Sequence, residues 1–115
     1  MKWGVLILSI LIVGCASQVL PESNTVASWQ SYGEERAENG HVLQSQQKLS
    51  KLASPSELTS ELYQAYATGY QAGKEEYCSQ SAYMLGRTGR PYRGICDDVN
   101  PFFKNDYVNG RAAFL

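Results

Sequence analysis

Apolar and polar residues alternate along most of this chain with a helical period. The clearest case is "SPSELTSELYQAYATGYQAGKEEYC", where Leu58, Leu62, Tyr66, Gly69, Gly73 and Tyr77 recur at helical spacing and define one face fit to meet another helix. Ser54 as N-cap, Pro55 at the first helical position and Glu57 at the third match a capping box, so this helix is expected to run from there to about Tyr77. Upstream, "SWQSYGEERAENGHVLQSQQKLSKLA" mixes aromatic and apolar positions with charge and glutamine. Its first part is helical in pattern, with Gly33 and Gly40 as points of interruption. Downstream, "SQSAYMLGRTG" predicts a short helix stopped by Gly89. Pro91 biases Arg90 toward extended backbone, so "RPYRGIC" is expected to be a turn or loop. In "NPFFKNDY" Asn100 is a cap and Pro101 a first-turn residue, leading into a terminal helix whose apolar surface is Phe102, Phe103, Tyr107 and Phe114. No alternating run predicts a sheet, and the expected fold is a small all-α domain of three or four short helices.

One local pattern recurs: "YATG" at 66–69, "YMLG" at 83–86 and "YVNG" at 107–110. Tyrosine and glycine three apart share a helix face, so the ring can cover the gap left where a second helix approaches over glycine. Glycine inside a helix costs about 1 kcal/mol relative to alanine, and its repetition points to close contact or to helix ends. The spacing of Gly69 and Gly73 is that of membrane helix pairs, but its neighbours are polar.

The N-terminus changes the picture. "MKWGVLILSILIVGC" carries Lys2 and then an apolar run from Trp3 to Val13, which as a helix spans only about half of a bilayer core. It reads as the apolar segment of a secretory signal peptide. "IVGC" resembles the lipobox of bacterial lipoproteins, and the resemblance implies cleavage after Gly14 and lipidation of Cys15. With Ala16 and Ser17 following, rather than Asp, lipoprotein sorting by analogy favours the outer membrane, on its periplasmic side. The chain then divides into a signal peptide (1–14), a lipid-anchored tether (15–28) and a helical domain (29–115).

Three cysteines are an odd number, but lipidation uses Cys15 and leaves Cys78 with Cys96 in an oxidising compartment. A bridge between them would contribute about 3 kcal/mol in the chain-entropy account. Free or intermolecular thiols are the alternative. A zinc site needs more ligands than these two cysteines and the single His41 supply, and a redox pair would be two residues apart. No metal and no cofactor are expected.

The mature chain resembles a group of small bacterial lipoproteins sharing a domain of unknown function. The resemblance rests on "WQSYGEERAENG", "YATGYQAGKEEYC", "AYMLGRTGRPYRGIC" and "YVNGRAAF", and spans about Trp29 to Phe114. It implies a lipoprotein class and a shared small domain, and transfers no catalytic residue.

The segment "GRTGRPYRGIC" concentrates Arg87, Arg90 and Arg93 among glycines. Guanidinium forks suit carboxylate or phosphate, and glycines let backbone donors approach an anion. The opposite reading is that these arginines are simply solvated at the surface, or are neutralised within the fold by Glu75, Glu76, Asp97 and Asp98. The segment has neither the Walker lysine nor the dinucleotide fingerprint, and export argues against a nucleic-acid partner. The carboxylate pairs Glu34–Glu35 and Asp97–Asp98 are merely adjacent, and His41 has no nucleophile or ligand set around it. The expected function is a non-catalytic, membrane-tethered accessory or binding module. Its expected partners are the membrane, through Cys15, and an envelope protein or an anionic cell-wall or lipid group. A small periplasmic enzyme such as a hydrolase is the alternative.

Overall fold

A computed structural model describes residues 20–52 and 58–114. The signal peptide, Cys15 and the expected cap at Ser54, Pro55 and Glu57 lie outside the described residues. Those described form five helices and no strand: α1 (Val26–Glu38), α2 (Gln46–Leu52), α3 (Ser60–Cys78), α4 (Ala82–Arg87) and α5 (Phe103–Ala112). The all-α expectation holds, with one helix more than expected and with α3 a long one of 19 residues.

Local hydrogen bonds explain most of the boundaries. Thr25, Thr59 and Ser81 each sit in extended backbone and accept, through the side-chain hydroxyl, the N–H three residues on, capping α1, α3 and α4. Thr59 therefore starts α3 later than the sequence suggests, and Leu58, expected on its face, is buried just ahead of it. Asn100 does not cap α5 directly. Its Oδ1 accepts from the Phe102 N–H at 3.0 Å, forming a turn that places Phe102 at the N-cap with no side-chain cap of its own. Phe102 is consequently exposed and only Phe103 enters the core.

The first helix passes through Gly33 without interruption and stops at Gly40. There the Gly40 N–H donates to the Ala37 carbonyl and the His41 N–H to the Arg36 carbonyl, with Gly40 at φ +80°. That is the paired-bond helix ending which needs a left-handed residue. The end of α4 repeats it: Gly89 N–H to Gly86, Arg90 N–H to Leu85, and Gly89 at φ +76°.

Helices pack in two pairs, α1 with α3 and α4 with α5. Both partners of each pair run in the same direction. Along α1, Gln30 lies against Gly69, Glu34 and Ala37 against Gly73, and Gly40 against Tyr77, so both helices advance together. At each crossing the contact is reciprocal. A Cβ at Gly33 would strike the Tyr66 carbonyl and one at Gly69 the Gln30 carbonyl; a Cβ at Gly86 would strike the Tyr107 carbonyl and one at Gly110 the Tyr83 carbonyl. In all four cases glycine faces the residue three before the partner's glycine. Such proximity of a glycine Cα to a carbonyl across a helix pair suits weak Cα–H···O contacts. The tyrosine-glycine pattern thus marks the crossings, but the common contact is a backbone carbonyl rather than a ring, and Gln30 serves where a tyrosine stands in the other three helices. The Gly69 and Gly73 spacing works inside this domain: among the described residues no helix is long and apolar enough to cross a membrane.

Two cores result. The first gathers Trp29, Tyr32, Leu49, Leu62, Tyr66 and Tyr70, with Leu20 packed against it. Leu20 and the start of α1 at Val26 bring part of the expected tether segment into the folded body. The second core gathers Tyr77, Ala82, Leu85, Ile95, Cys96 and Phe103. Because α3 supplies residues to both, it is the spine of the domain.

Candidate functional site

The segment from Thr88 to Phe102 connects α4 to α5 and contains no helix, as Pro91 and the glycines predict. It is held by a covalent bond and by tyrosine hydroxyls. Cys78, the last residue of α3, is disulfide-bonded to fully buried Cys96, with Cα atoms 5.7 Å apart. The Tyr107 hydroxyl donates to the Arg90 carbonyl at 2.6 Å. The Tyr92 hydroxyl accepts from the Cys96 N–H at 3.0 Å and donates to Asp97 at 2.6 Å. Burial, and secondarily that bond to Asp97, pushes the Tyr92 phenol well above the ordinary tyrosine range, so it stays a donor at any physiological pH.

Across the molecule, residues 41–44 are fixed in the same manner. Tyr70 donates to the His41 carbonyl at 2.7 Å, Tyr63 to the Gln44 carbonyl at 2.8 Å, and the Gln44 N–H donates to Tyr66 at 2.9 Å. Tyr63, Tyr66 and Tyr70 therefore anchor this backbone through their hydroxyls.

The three arginines of the loop are all exposed, but they do not form one group. Arg87 donates to the Ala113 carbonyl at 3.0 Å, at the C-terminal end of α5, where cations are favoured. Arg93 reaches the Gly40 carbonyl at 3.4 Å. The guanidinium of Arg90 makes no hydrogen bond or ion pair among the described residues. Of the nearby acids, Asp98 pairs with Lys74 at 3.0 Å and Asp97 accepts from Tyr92. Lys74 holds the Asp98 carboxyl below its usual range, mainly through the hydrogen bond. Among the described residues no arginine is ion-paired with a carboxylate, so internal neutralisation of the loop is not what the structure has.

Folding instead adds two groups from elsewhere. The ring of Tyr77 covers Gly40 at about 3 Å from where its Cβ would be, and its hydroxyl is 3.5 Å from the Pro91 carbonyl. The 40–41 corner and the 90–93 stretch consequently meet at one side chain. Arg90 and Arg93 both act electrostatically on the Tyr77 hydroxyl, whose pKa is raised chiefly by burial. His41 is pulled below its ordinary value, first by burial and then by Arg36 and Arg93. Arg36, on the last turn of α1, has a buried Nε with no hydrogen-bond partner among the described residues. Arg36 and Arg93 thus act on His41, and Arg90 and Arg93 on the Tyr77 hydroxyl, with Arg93 common to both. Sequence reading missed Arg36 because it lies more than fifty positions away from the loop; the signal was its place one turn before a helix-ending glycine.

The carboxylates Glu34 and Glu35 lie exposed on α1, and among the described residues no three of His, Cys, Asp and Glu gather as metal ligands. A groove of about 350 Å³, lined by Val42, Leu43, Ala67 and Ile95, carries the Lys74–Asp98 pair as its charged groups.

Two same-direction helix pairs, two cores on one long helix and one disulfide-bounded loop define a small stapled all-α domain. Residues 28–112 match a family model described as "Protein of unknown function (DUF2799)", and the chain belongs to that family. No curated protein and no solved structure matches it.

Proposed function

We propose that this protein is a non-catalytic binding module of the bacterial envelope, held at the periplasmic side of the outer membrane by lipidated Cys15. It contacts an envelope protein or an anionic cell-wall or lipid group through its arginine-bearing loop. The observation that carries this reading is the state of that loop: Arg87, Arg90 and Arg93 are exposed and no carboxylate pairs with them, on a backbone fixed by the disulfide and by Tyr92 and Tyr107. A preordered segment loses little entropy on binding, and guanidiniums without a carboxylate partner keep their charge, and the donors not spent on the Ala113 and Gly40 carbonyls, for a partner. The lipobox-like "IVGC" supports the anchor.

Crosslinking in intact cells tests both halves. A partner recovered with the wild-type protein is expected to be lost with R87Q/R90Q/R93Q, while membrane fractionation and the disulfide stay unchanged. Cys15→Ser is expected to release the domain from the membrane fraction. Equal recovery from the triple variant would remove the loop as contact surface, and turnover by the purified protein would replace the module reading with an enzyme.

A further inference from the structure

The folded body begins inside the segment expected to be a tether. Leu20 packs against the first core. The Trp29 indole N–H donates to Asn24 Oδ1 at 3.2 Å, the Ser23 and Ser28 hydroxyls share a hydrogen bond of 2.6 Å, and Thr25 caps α1. Only residues 16–19 then separate Cys15 from Leu20. We infer that this short span holds the domain against the leaflet that receives the lipid, with the outer flank of α1 facing the headgroups. The inference rests on the lipidated-Cys15 half of the proposed function and names the surface that meets the membrane.

Helical geometry decides which surface that is. Gly33 and Ala37 turn one side of α1 toward α3. Ser28, Ser31 and Glu35, spaced three and four apart, lie on the opposite side, where they line a groove of about 530 Å³ together with residues 20–23. The chain therefore enters the body alongside α1, on its side away from α3. On α3, Ala67 and Gln71 lie four apart on the side opposite Gly69 and Gly73, and so face away from α1 altogether.

The reach of the chain excludes the reverse orientation. Five Cα steps from Cys15 to Leu20 cover at most about 18 Å at full extension. Turning the domain over would place both helices between Leu20 and the lipid, about 20 Å of protein, and the chain would have to pass around them by a longer path still. The residues lining the groove include Glu22 and Glu35 and no lysine or arginine. Charge on this flank therefore does not draw it to an anionic headgroup, and the covalent link alone sets its position.

Two exposed positions test this, Ser31 on the flank of α1 and Gln71 on the far side of α3. With Cys15 acylated and Cys78 bonded to Cys96, Ser31→Cys or Gln71→Cys adds the only free thiol for a fluorophore, and circular dichroism checks that each labelled variant is folded. The lipidated protein is placed in phosphatidylcholine vesicles containing a fraction of phosphatidylcholine spin-labelled at the headgroup, which quenches fluorophores at short range. The expected result is loss of most of the emission at 31 and its retention at 71. A Gly/Ser insertion of about 20 residues after Ser17, with an r.m.s. span of about 25 Å, is expected to restore the emission at 31 while the protein still floats with the vesicles. Equal emission at the two positions, stronger quenching at 71, or quenching at 31 that survives the insertion overturns the inference. Protein that does not float with the vesicles removes the anchor and the inference with it, whereas flotation without preferential quenching at 31 removes the inference alone and leaves the anchor standing.

Discussion

The pairs α1–α3 and α4–α5 solve one packing problem with the same parts and different reinforcement. Both bring two helices together in the same direction over facing glycines, and both end the first helix on a positive-φ glycine roofed by an aromatic ring at or just beyond the end of the second. Tyr77 covers Gly40 in the first pair, and Phe114 covers Gly89 in the second. The first pair is long and takes two small-residue steps, Gly33 with Ala37 against Gly69 with Gly73, above a core rich in tyrosine. The second pair is short, with one glycine per helix and α4 only 6 residues long. A helix that short cannot hold itself. Beside it lies the Cys78–Cys96 bond, which fixes the connecting loop to the end of the long helix. Where burial is plentiful the close crossing suffices; where it is scarce a covalent bond is added.

The most severe way to break this comparison is to fill a crossing. Alanine improves helix propensity over glycine by about 1 kcal/mol, yet at Gly33 or Gly69 its Cβ would meet backbone atoms of the other helix, which no side-chain rotation relieves. Overpacking against backbone wins, and Gly33→Ala or Gly69→Ala is expected to lose about 3 kcal/mol or more. Denaturant unfolding would show it as a lower midpoint at unchanged slope. Because α3 serves both cores, Gly69→Ala should loosen both; Gly110→Ala should open only the α4–α5 half, seen as loss of amide protection confined to residues 82–114. Stability unchanged in all of them would mean that the crossings are not the organising contacts.

Reduction of the disulfide is next in size. The closed loop is worth about 3 kcal/mol in the entropy account, and its loss should fall on the second pair. Limited proteolysis of the reduced protein is expected to cut within residues 88–102 first while α1 and α3 remain protected. Uniform loss of protection would show instead that the two halves unfold as one.

The smallest effect is alkaline and belongs to the first pair. Burial pushes the Tyr70 phenol up to about 12 from its ordinary 10.0. A raised folded-state pKa means stability that is complete below about 10 and declines as pH rises through about 12, since the unfolded chain ionises first. Thermal unfolding across that range should show the decline, and Tyr70→Phe should make it shallower while lowering neutral stability by about 1 kcal/mol for the lost bond to the His41 carbonyl. An identical slope in the variant would assign the alkaline sensitivity to other tyrosines.

Much of this was legible in the residues, and the gaps have identifiable causes. The stop at Gly89, the loop imposed by Pro91, the buried face from Leu62 to Tyr77 and the pairing of Cys78 with Cys96 all follow from local chemistry or simple counting. The short α2 was not separable in advance, because "QQKLSKL" contributes a single buried residue, Leu49, and one contact leaves no period to read. Gly33 suggested interruption because propensity penalises glycine, whereas the contact with α3 requires it. Asn100 had the right chemistry for a cap but spent it one turn early, on the Phe102 N–H.

By itself, then, the sequence determined that α1, α3, α4 and α5 become helices and which side of α3 is buried, since each depends on neighbours within a few turns. Only the tertiary structure decided that the paired helices run in the same direction, that the recurring glycines meet carbonyls rather than rings, and that Arg87 is held at the end of α5 while Arg93 reaches the Gly40 carbonyl at the end of α1. Those outcomes depend on which faces close over one another across tens of residues, and local propensity carries no information about a partner so distant along the chain.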